Sequence, residues 1–209
     1  MRNNKTFNLT LIAIFTALIV LQTYVPNLGY IVIIPTLPAI STIVLTVTIG
    51  GALLGPKSGA VLGLIWGSLS LLSAYTRATD MVTLLLFRNP VIAIVPRVLV
   101  GVFAGLVVLA FKKNQLQAIG LGLSGLIVAL TNTLFVIILS SLFYMGNSAT
   151  LVSQLGNSPL GAVNPENPLI IILFIALGLN GVVEAVVGTI ITPIIVTPLQ
   201  RVLRRLRGS

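Results

Sequence analysis

The chain has 209 residues, of which 56% are hydrophobic and 7% are charged, and its mean hydropathy is +1.13. This composition excludes a soluble domain of the same length, because apolar runs this long need lipid as solvent. The chain contains neither cysteine nor histidine. A disulfide framework, a thiolate or imidazole metal site and a Ser-His or Cys-His nucleophile pair are therefore excluded as well.

The net charge of +9 is distributed as in a membrane protein. Most of the basic residues lie at the chain ends or in short connections, namely Arg2, Lys5, Lys57, Lys112, Lys113, Arg201, Arg204, Arg205 and Arg207. Short basic connections of membrane proteins lie on the cytoplasmic side. We therefore predict that both termini are cytoplasmic, that the chain contacts membrane lipid, and that it binds no nucleic acid.

The apolar runs predict an all-α membrane protein, organised as a single bundle of six transmembrane helices. The predicted helices cover residues 7–25, 39–54, 58–74, 90–111, 116–144 and 169–198. The first run follows Arg2 and Lys5 and resembles a signal peptide, but it is longer than the usual apolar core of one, and no A-x-A-like cleavage site follows. We interpret it as a retained first helix.

Three longer connections are predicted on the outer side of the membrane. In the first, residues 28–38, Pro35 and Pro38 interrupt an apolar stretch that is too short to span, which indicates a segment folded over the outer face. The second covers residues 75–89. The third, residues 146–168, is long enough to act as a lid over the same face.

A single cation, Arg97, lies within predicted helix 4, directly after Pro96. It is seven residues into the helix, which places it roughly 10 Å below the outer boundary. An ionisable residue at membrane depth costs at least ~3 kcal/mol and usually marks a functional site. We predict that a small carboxylate or phosphate from outside pairs with its planar guanidinium. In the structural alternative, Arg97 donates to backbone carbonyls freed by Pro96 or extends to the surface.

Other polar and aromatic residues are candidates for the same site. Asn132 and Asn180, on neighbouring helices, are placed to bind hydroxyl or amide groups of the ligand, or to hydrogen-bond between helices. Trp66 forms an apolar wall or packs in the core, and Tyr75 is a further candidate at the outer boundary. Glu184 should lie roughly 22 Å down helix 6, too deep to pair with Arg97. It either carries a proton in a gradient-driven cycle or caps a polar patch.

Small residues recur at helical spacing in two predicted helices. Gly59, Gly63 and Gly67 form a stripe on helix 3, and Gly101 and Gly105 form a pair on helix 4. Such stripes allow neighbouring backbones to approach closely in a bilayer. We interpret both as packing features.

An enzymatic role is the least favoured class. The only acidic residues are Asp80, Glu166 and Glu184, which are scattered along the chain. Metal-dependent transfer chemistry needs clustered carboxylates to hold the ion. We therefore expect no enzymatic activity, no cofactor and no metal site.

The whole chain resembles the substrate-binding S components of bacterial energy-coupling factor (ECF) vitamin transporters. The resemblance includes the length, the six helices, and two local motifs. Ala13-Ile14-Phe15-Thr16-Ala17 is similar to the A-x-x-x-A of helix 1 with which that family docks on a shared transmembrane coupling subunit. The turn Leu53–Gly59 between helices 2 and 3 is also typical of the family. Within it, the chain is most similar to pantothenate-specific members.

The resemblance implies a high-affinity binder without catalytic activity. Its site would lie near the outer side, built by helices 4 to 6 and covered by the outer connections. Its partners would be the coupling subunit and two ATPase subunits, which supply ATP hydrolysis. Family members specific for pyridoxine, niacin, folate and riboflavin share the same fold, so the resemblance does not determine which vitamin this chain binds. The alternative from another class is a self-sufficient secondary transporter with Glu184 as the proton-coupling group.

Overall fold

Helices make up nearly all of the computed structural model, which describes residues 4–31, 40–77, 84, 86–111, 117–144 and 168–208. The long helices are α1 (Asn4–Tyr24), α2 (Ile43–Leu54), α3 (Pro56–Thr76), α4 (Pro90–Phe111), α5 (Gln117–Tyr144) and α6 (Leu169–Gly208). The predicted lid at 146–168 lies outside the described residues except for its last residue, and so do parts of the other two outer connections.

Five of these helices, all except α2, are long and apolar enough to cross a membrane. The described part of the chain is therefore a helical membrane bundle, as predicted. With 12 residues, α2 is about 18 Å long, shorter than the ~30 Å hydrocarbon core. The six-span count and the cytoplasmic termini remain predictions.

The structure corrects two of the predicted helix bounds. Helix 2 begins at Ile43 rather than at residue 39, because strand β2 (Ile40–Ser41) pairs antiparallel with strand β1 (Tyr30–Ile31). Helix 6 does not end near residue 198 but continues to Gly208 through two internal prolines. A proline removes one helical hydrogen bond without ending a membrane helix, and the Arg- and Leu-rich segment that follows favours helix.

A tight turn joins α2 to α3. Gly55 has φ of 91°, a left-handed conformation that side chains disfavour, and Pro56 follows at the first position of α3. The glycine N–H donates to the Gly51 carbonyl and closes α2. Two helices that share this short turn lie against each other and against α4.

Glycine contacts between α3 and α4 confirm the predicted packing stripes. A Cβ at Gly59 would meet the Gly101 carbonyl, and one at Gly63 would meet the Arg97 carbonyl. At the turn, a Cβ on Gly105 would meet Pro56. The backbones touch along the whole contact, and this fixes the height of Arg97 relative to α3.

The apolar core forms three clusters along the bundle. One lies where α4 begins and α5 ends, around Ile92 and Ile137. The second surrounds Trp66 and Val100 in the middle of the bundle, and the third lies near the α2–α3 turn. The candidate site lies at the level of the middle cluster, because Trp66 belongs to both.

Helix α1 packs on the bundle with only one face. Ile12, Phe15 and Ile19 contact the middle cluster. The opposite surface, which we call the α1 outer face, consists of Ala13, Ile14, Ala17, Leu18 and Leu21, all of them exposed. The predicted docking alanines therefore lie on a surface that the described part of the chain leaves uncovered.

Candidate functional site

Arg97 is buried inside the bundle, with 4% of its surface exposed. Pro96 has no N–H, so the carbonyl four residues before it, that of Ile92, has no helical donor. The Nη1 atom of Arg97 donates to this carbonyl at 2.9 Å. The Nε atom is buried and has no partner among the residues that the structure describes. The structural alternative, in which Arg97 donates to a backbone carbonyl, thus accounts for Nη1. It leaves Nε available to a ligand.

Two aromatic rings enclose the guanidinium. Its Cζ lies 4.1 Å from the centroid of the Phe87 ring and 5.3 Å from that of the Trp66 ring. Cation–π contacts of this kind contribute about 0.5–2 kcal/mol each. The rings hold the guanidinium in place, but they carry no net charge, so Arg97 still lacks an anion at contact distance in the described part of the chain.

The paired strands connect Trp66 to the first outer connection. The Trp66 Nε1 donates to the Tyr30 hydroxyl at 3.4 Å, and the same hydroxyl lies 3.4 Å from Ser70 Oγ. Tyr30 is paired with Ser41 across the two-stranded sheet. Ser41 is therefore the sheet neighbour of the tyrosine that is hydrogen-bonded to Trp66.

Glu184 belongs to the same region, in contrast to its predicted depth. Its Oε1 accepts a hydrogen bond of 2.9 Å from the Ser41 backbone N–H. Its carboxylate also accepts a hydrogen bond from the Asn132 side chain and is attracted electrostatically to Arg97. The prediction assumed that α6 begins at the membrane boundary, but α6 has 40 residues and is about 60 Å long. The contacts of Glu184 show that α4 and α6 do not begin at the same level, so counting from their first residues overestimated the separation of Glu184 from Arg97.

These contacts define a polar cluster consisting of Ser41, Arg97, Asn132 and Glu184. Three of its atoms are buried without a partner: Ser41 Oγ, Arg97 Nε and Asn132 Oδ1. A buried polar atom without a partner costs about 1–3 kcal/mol, so folded proteins seldom keep one without reason. Here a cationic donor, an acceptor and a hydroxyl are kept together. The cluster is suited to a ligand that carries an anionic group and a hydrogen-bond donor.

Other unpartnered hydroxyls are present among the described residues but are of a different kind. Ser140, Ser141 and Thr192 are buried, and their hydroxyl oxygens lack partners. A hydroxyl is neutral and can donate or accept, so it does not select for an anion. The charged members distinguish the polar cluster from these residues.

The structure brings together three of the five predicted ligand residues, Arg97, Trp66 and Asn132. Asn180 is half-buried on α6, one turn before Glu184. Tyr75 lies apart at the end of α3 with 62% of its surface exposed. Its hydroxyl donates to the Arg88 carbonyl at 3.2 Å, and the Arg88 guanidinium lies 5.5 Å from the centroid of its ring.

Three residues of the site were not among the candidates from the sequence, namely Ser41, Tyr30 and Phe87. Tyr30 and Phe87 resemble ordinary aromatic residues of the membrane boundary. Ser41 looked like one of several helical hydroxyls, because the two-residue strands leave no alternating pattern. One signal was readable: Pro96 frees the carbonyl of Ile92, one helical turn before the proline, and Arg97 directly follows the proline.

The fold and the polar cluster together define a membrane-embedded binding protein. Residues 7–196 match the family model described as "ECF transporter, substrate-specific component", and the chain belongs to this family.

Two relatives carry related names. The chain is 39% identical over 147 residues to a "Pantothenate transporter PanT" of Leuconostoc mesenteroides, covering 67% of this chain and 71% of the relative. It is 29% identical over 201 residues to a "Pantothenic acid transporter PanT" of Lactococcus lactis, covering 88% of this chain and 96% of the relative.

Family membership confirms the resemblance inferred from the sequence. The chain is a substrate-specific transport component and a multi-pass protein of the cell membrane. Components of this kind bind a vitamin and work together with an energy-coupling module. The polar cluster is therefore the candidate vitamin site.

Proposed function

We propose that this chain is the high-affinity pantothenate-binding subunit of an ATP-driven ECF uptake transporter. The observation that carries the proposal is the buried Arg97 guanidinium, whose Nε lacks a partner. A second unpartnered atom, Asn132 Oδ1, belongs to the same polar cluster through Glu184. Both named relatives are pantothenate transporters. Pantothenate has one carboxylate, one amide and two hydroxyl groups, which complement a cationic donor, an acceptor and a hydroxyl.

In the proposed complex, the pantothenate carboxylate accepts a hydrogen bond from Arg97 Nε. The Trp66 and Phe87 rings form the wall beside it. Asn132 binds a donor of the ligand, and Asn180 and Tyr75 remain proposed contacts at the outer side. A charge-assisted hydrogen bond contributes about 1.5–3 kcal/mol, so Arg97 supplies a substantial share of nanomolar binding, which is about −12 kcal/mol.

We place both termini in the cytoplasm and propose that the chain crosses the membrane six times. The basic residues at the chain ends support this orientation. Ala13 and Ala17 of the α1 outer face dock on the transmembrane coupling subunit, because small side chains allow a second helix to approach closely. Two ATPase subunits then supply the energy.

The test is equilibrium binding of labelled pantothenate to the purified full-length chain. Wild type should bind with nanomolar affinity, and Arg97→Ala should lose at least 100-fold while remaining folded. The matched control is Arg77→Ala, which removes an exposed arginine whose guanidinium lies 5.2 Å from the Tyr24 ring centroid. This variant should bind as wild type does. Equal affinity of the Arg97 and Arg77 variants would remove Arg97 from the site.

The choice of vitamin and the energy source are tested separately. Mass spectrometry of the small molecule that accompanies the purified protein should find pantothenate, and finding pyridoxine, niacin, folate or riboflavin would reassign the ligand. In liposomes, the chain alone should not transport pantothenate under a proton gradient. Transport by the chain alone would contradict the ATP-driven proposal and favour Glu184 as a proton carrier.

A further inference from the structure

The Asn132 amide is held in one orientation by Glu184. A carboxylate has acceptor oxygens only, whereas an amide has a donor end and an acceptor end. When Glu184 is ionised, the hydrogen bond between the two side chains uses the Asn132 Nδ2, with the N–H donating to the Glu184 carboxylate. This leaves Oδ1, the acceptor end, buried and without a partner.

Glu184 is itself held in a fixed position. The backbone N–H of Ser41 donates to its Oε1 at 2.9 Å, and this N–H belongs to a paired strand. The side chain is 6% exposed, so water does not compete for the carboxylate. The backbone of β2 thus fixes Glu184, and Glu184 in turn fixes the direction of the Asn132 amide.

We infer that Glu184 is a positioning residue that sets the hydrogen-bond selectivity of the site, by presenting Asn132 Oδ1 as an acceptor to a donor group of the ligand. The inference rests on the proposed function and deepens it. It requires a ligand with two features: an anionic acceptor for Arg97 Nε and a hydroxyl or amide N–H for Asn132 Oδ1. Anionic vitamins without a hydroxyl or N–H that reaches Asn132 Oδ1 are rejected, because Oδ1 then stays buried and unpaired.

The test measures binding of pantothenate and of three analogues, each lacking one donor: the two monodeoxy compounds and the N-methyl amide. For wild type, removing the donor that faces Asn132 Oδ1 should weaken binding about tenfold or more. In Glu184→Gln, the glutamine keeps its carbonyl on the Ser41 N–H and turns its NH₂ toward Asn132, which then presents its own NH₂ to the ligand. The pantothenate affinity should fall about 10- to 100-fold, and the penalty for that analogue should disappear.

Two further variants complete the test. Thr189→Val, on α6, removes a hydroxyl that donates to the Ala185 carbonyl and should leave all four affinities unchanged. The double variant Glu184→Gln with Asn132→Asp moves the carboxylate to position 132. There it accepts from the glutamine NH₂ and again offers an oxygen to the ligand, so the analogue penalty should return.

The outcomes separate this inference from the proposed function. If wild type binds no pantothenate, both are overturned. If wild type binds it and every analogue has the same penalty in Glu184→Gln as in wild type, the positioning role is wrong and the pantothenate site stands. A uniform loss for all four compounds in Glu184→Gln would likewise overturn the positioning role, since it would show that Glu184 only supports the fold of the site.

Discussion

Replacing Arg97 by lysine separates the charge of this residue from the shape of its guanidinium. In the structure, two different nitrogens serve two purposes: Nη1 donates to the Ile92 carbonyl at 2.9 Å, and Nε is unpartnered and available to the ligand. A lysine ammonium keeps the charge, but its donors radiate from one nitrogen rather than from a planar fork. It cannot reproduce both hydrogen bonds with the same geometry.

The size of the expected effect follows from the loss of one charge-assisted hydrogen bond. Such a bond contributes about 1.5–3 kcal/mol, and each 1.4 kcal/mol corresponds to a tenfold change in Kd. Arg97→Lys should therefore weaken pantothenate binding about 10- to 150-fold. The loss should be smaller than for Arg97→Ala, because the ammonium still lies beside the Trp66 and Phe87 rings and still attracts the carboxylate.

The assay is equilibrium binding of labelled pantothenate to purified full-length protein, with thermal unfolding and gel filtration as measures of folding. Arg77→Lys is the matched control at an exposed arginine and should not change the affinity. An Arg97→Lys affinity within twofold of wild type would refute the reasoning, since a point charge would then be sufficient. A loss as large as that of Arg97→Ala would also refute it, since the charge would then contribute nothing.

Two further predictions concern the exposed face of α1 and the contact between α3 and α4. Leucine at both Ala13 and Ala17 should leave pantothenate binding unchanged and abolish uptake in cells, because the larger side chains prevent close approach of the coupling subunit. Gly101→Ala should lower the unfolding temperature, because a Cβ there would meet the Gly59 backbone, and overpacking of this kind costs about 1–3 kcal/mol.

Each of these predictions has a matched control. Ala110→Leu adds the same bulk at an exposed alanine of α4 and should preserve uptake. Gly178→Ala places its Cβ no closer than 3.8 Å to Phe174, an ordinary contact, and should keep or raise the unfolding temperature. Uptake by the α1 variant at the wild-type rate would contradict the docking role. Equal unfolding temperatures for the two glycine variants would contradict the tight α3–α4 contact.

The membrane class, most helices and the central cation were predictable because each leaves a local signal. Long apolar runs indicate spanning helices, and a lone arginine within such a run indicates a site. The proline before Arg97 also pointed to the free Ile92 carbonyl. From the sequence, Arg97 was expected either to bind a ligand or to donate to the backbone. In the structure, Nη1 donates to the Ile92 carbonyl and Nε remains unpartnered, so both interpretations apply to one side chain.

The position of Glu184 was not predictable, because depth along a helix depends on where the helix enters the membrane. Counting residues from the starts of α4 and α6 placed Glu184 well below Arg97, whereas the structure places both in the polar cluster. Its partner, the Ser41 N–H, lies in a strand of two residues, too short to produce a recognisable alternation. Contacts between elements distant in sequence, such as that of β2 with α6, have no local signal.

The exposure of Ala13 and Ala17 also could not be predicted from the sequence. Helix α1 is apolar on all sides, so hydropathy does not show which side faces the bundle. The structure orients the helix through Phe15 and Ile19, which contact the middle cluster. Because Phe15 and Ile19 face the bundle, Ala13 and Ala17 lie on the exposed side of α1.

The central claim is that a ligand carboxylate completes the buried Arg97 guanidinium, and one binding measurement tests it most directly. It compares pantothenate with panthenol, in which an uncharged alcohol replaces the carboxylate, on wild type and on Arg97→Ala. We predict that wild type prefers pantothenate at least 100-fold and that Arg97→Ala shows almost no preference. Equal binding of both compounds by wild type, or an unchanged preference in Arg97→Ala, would contradict the claim.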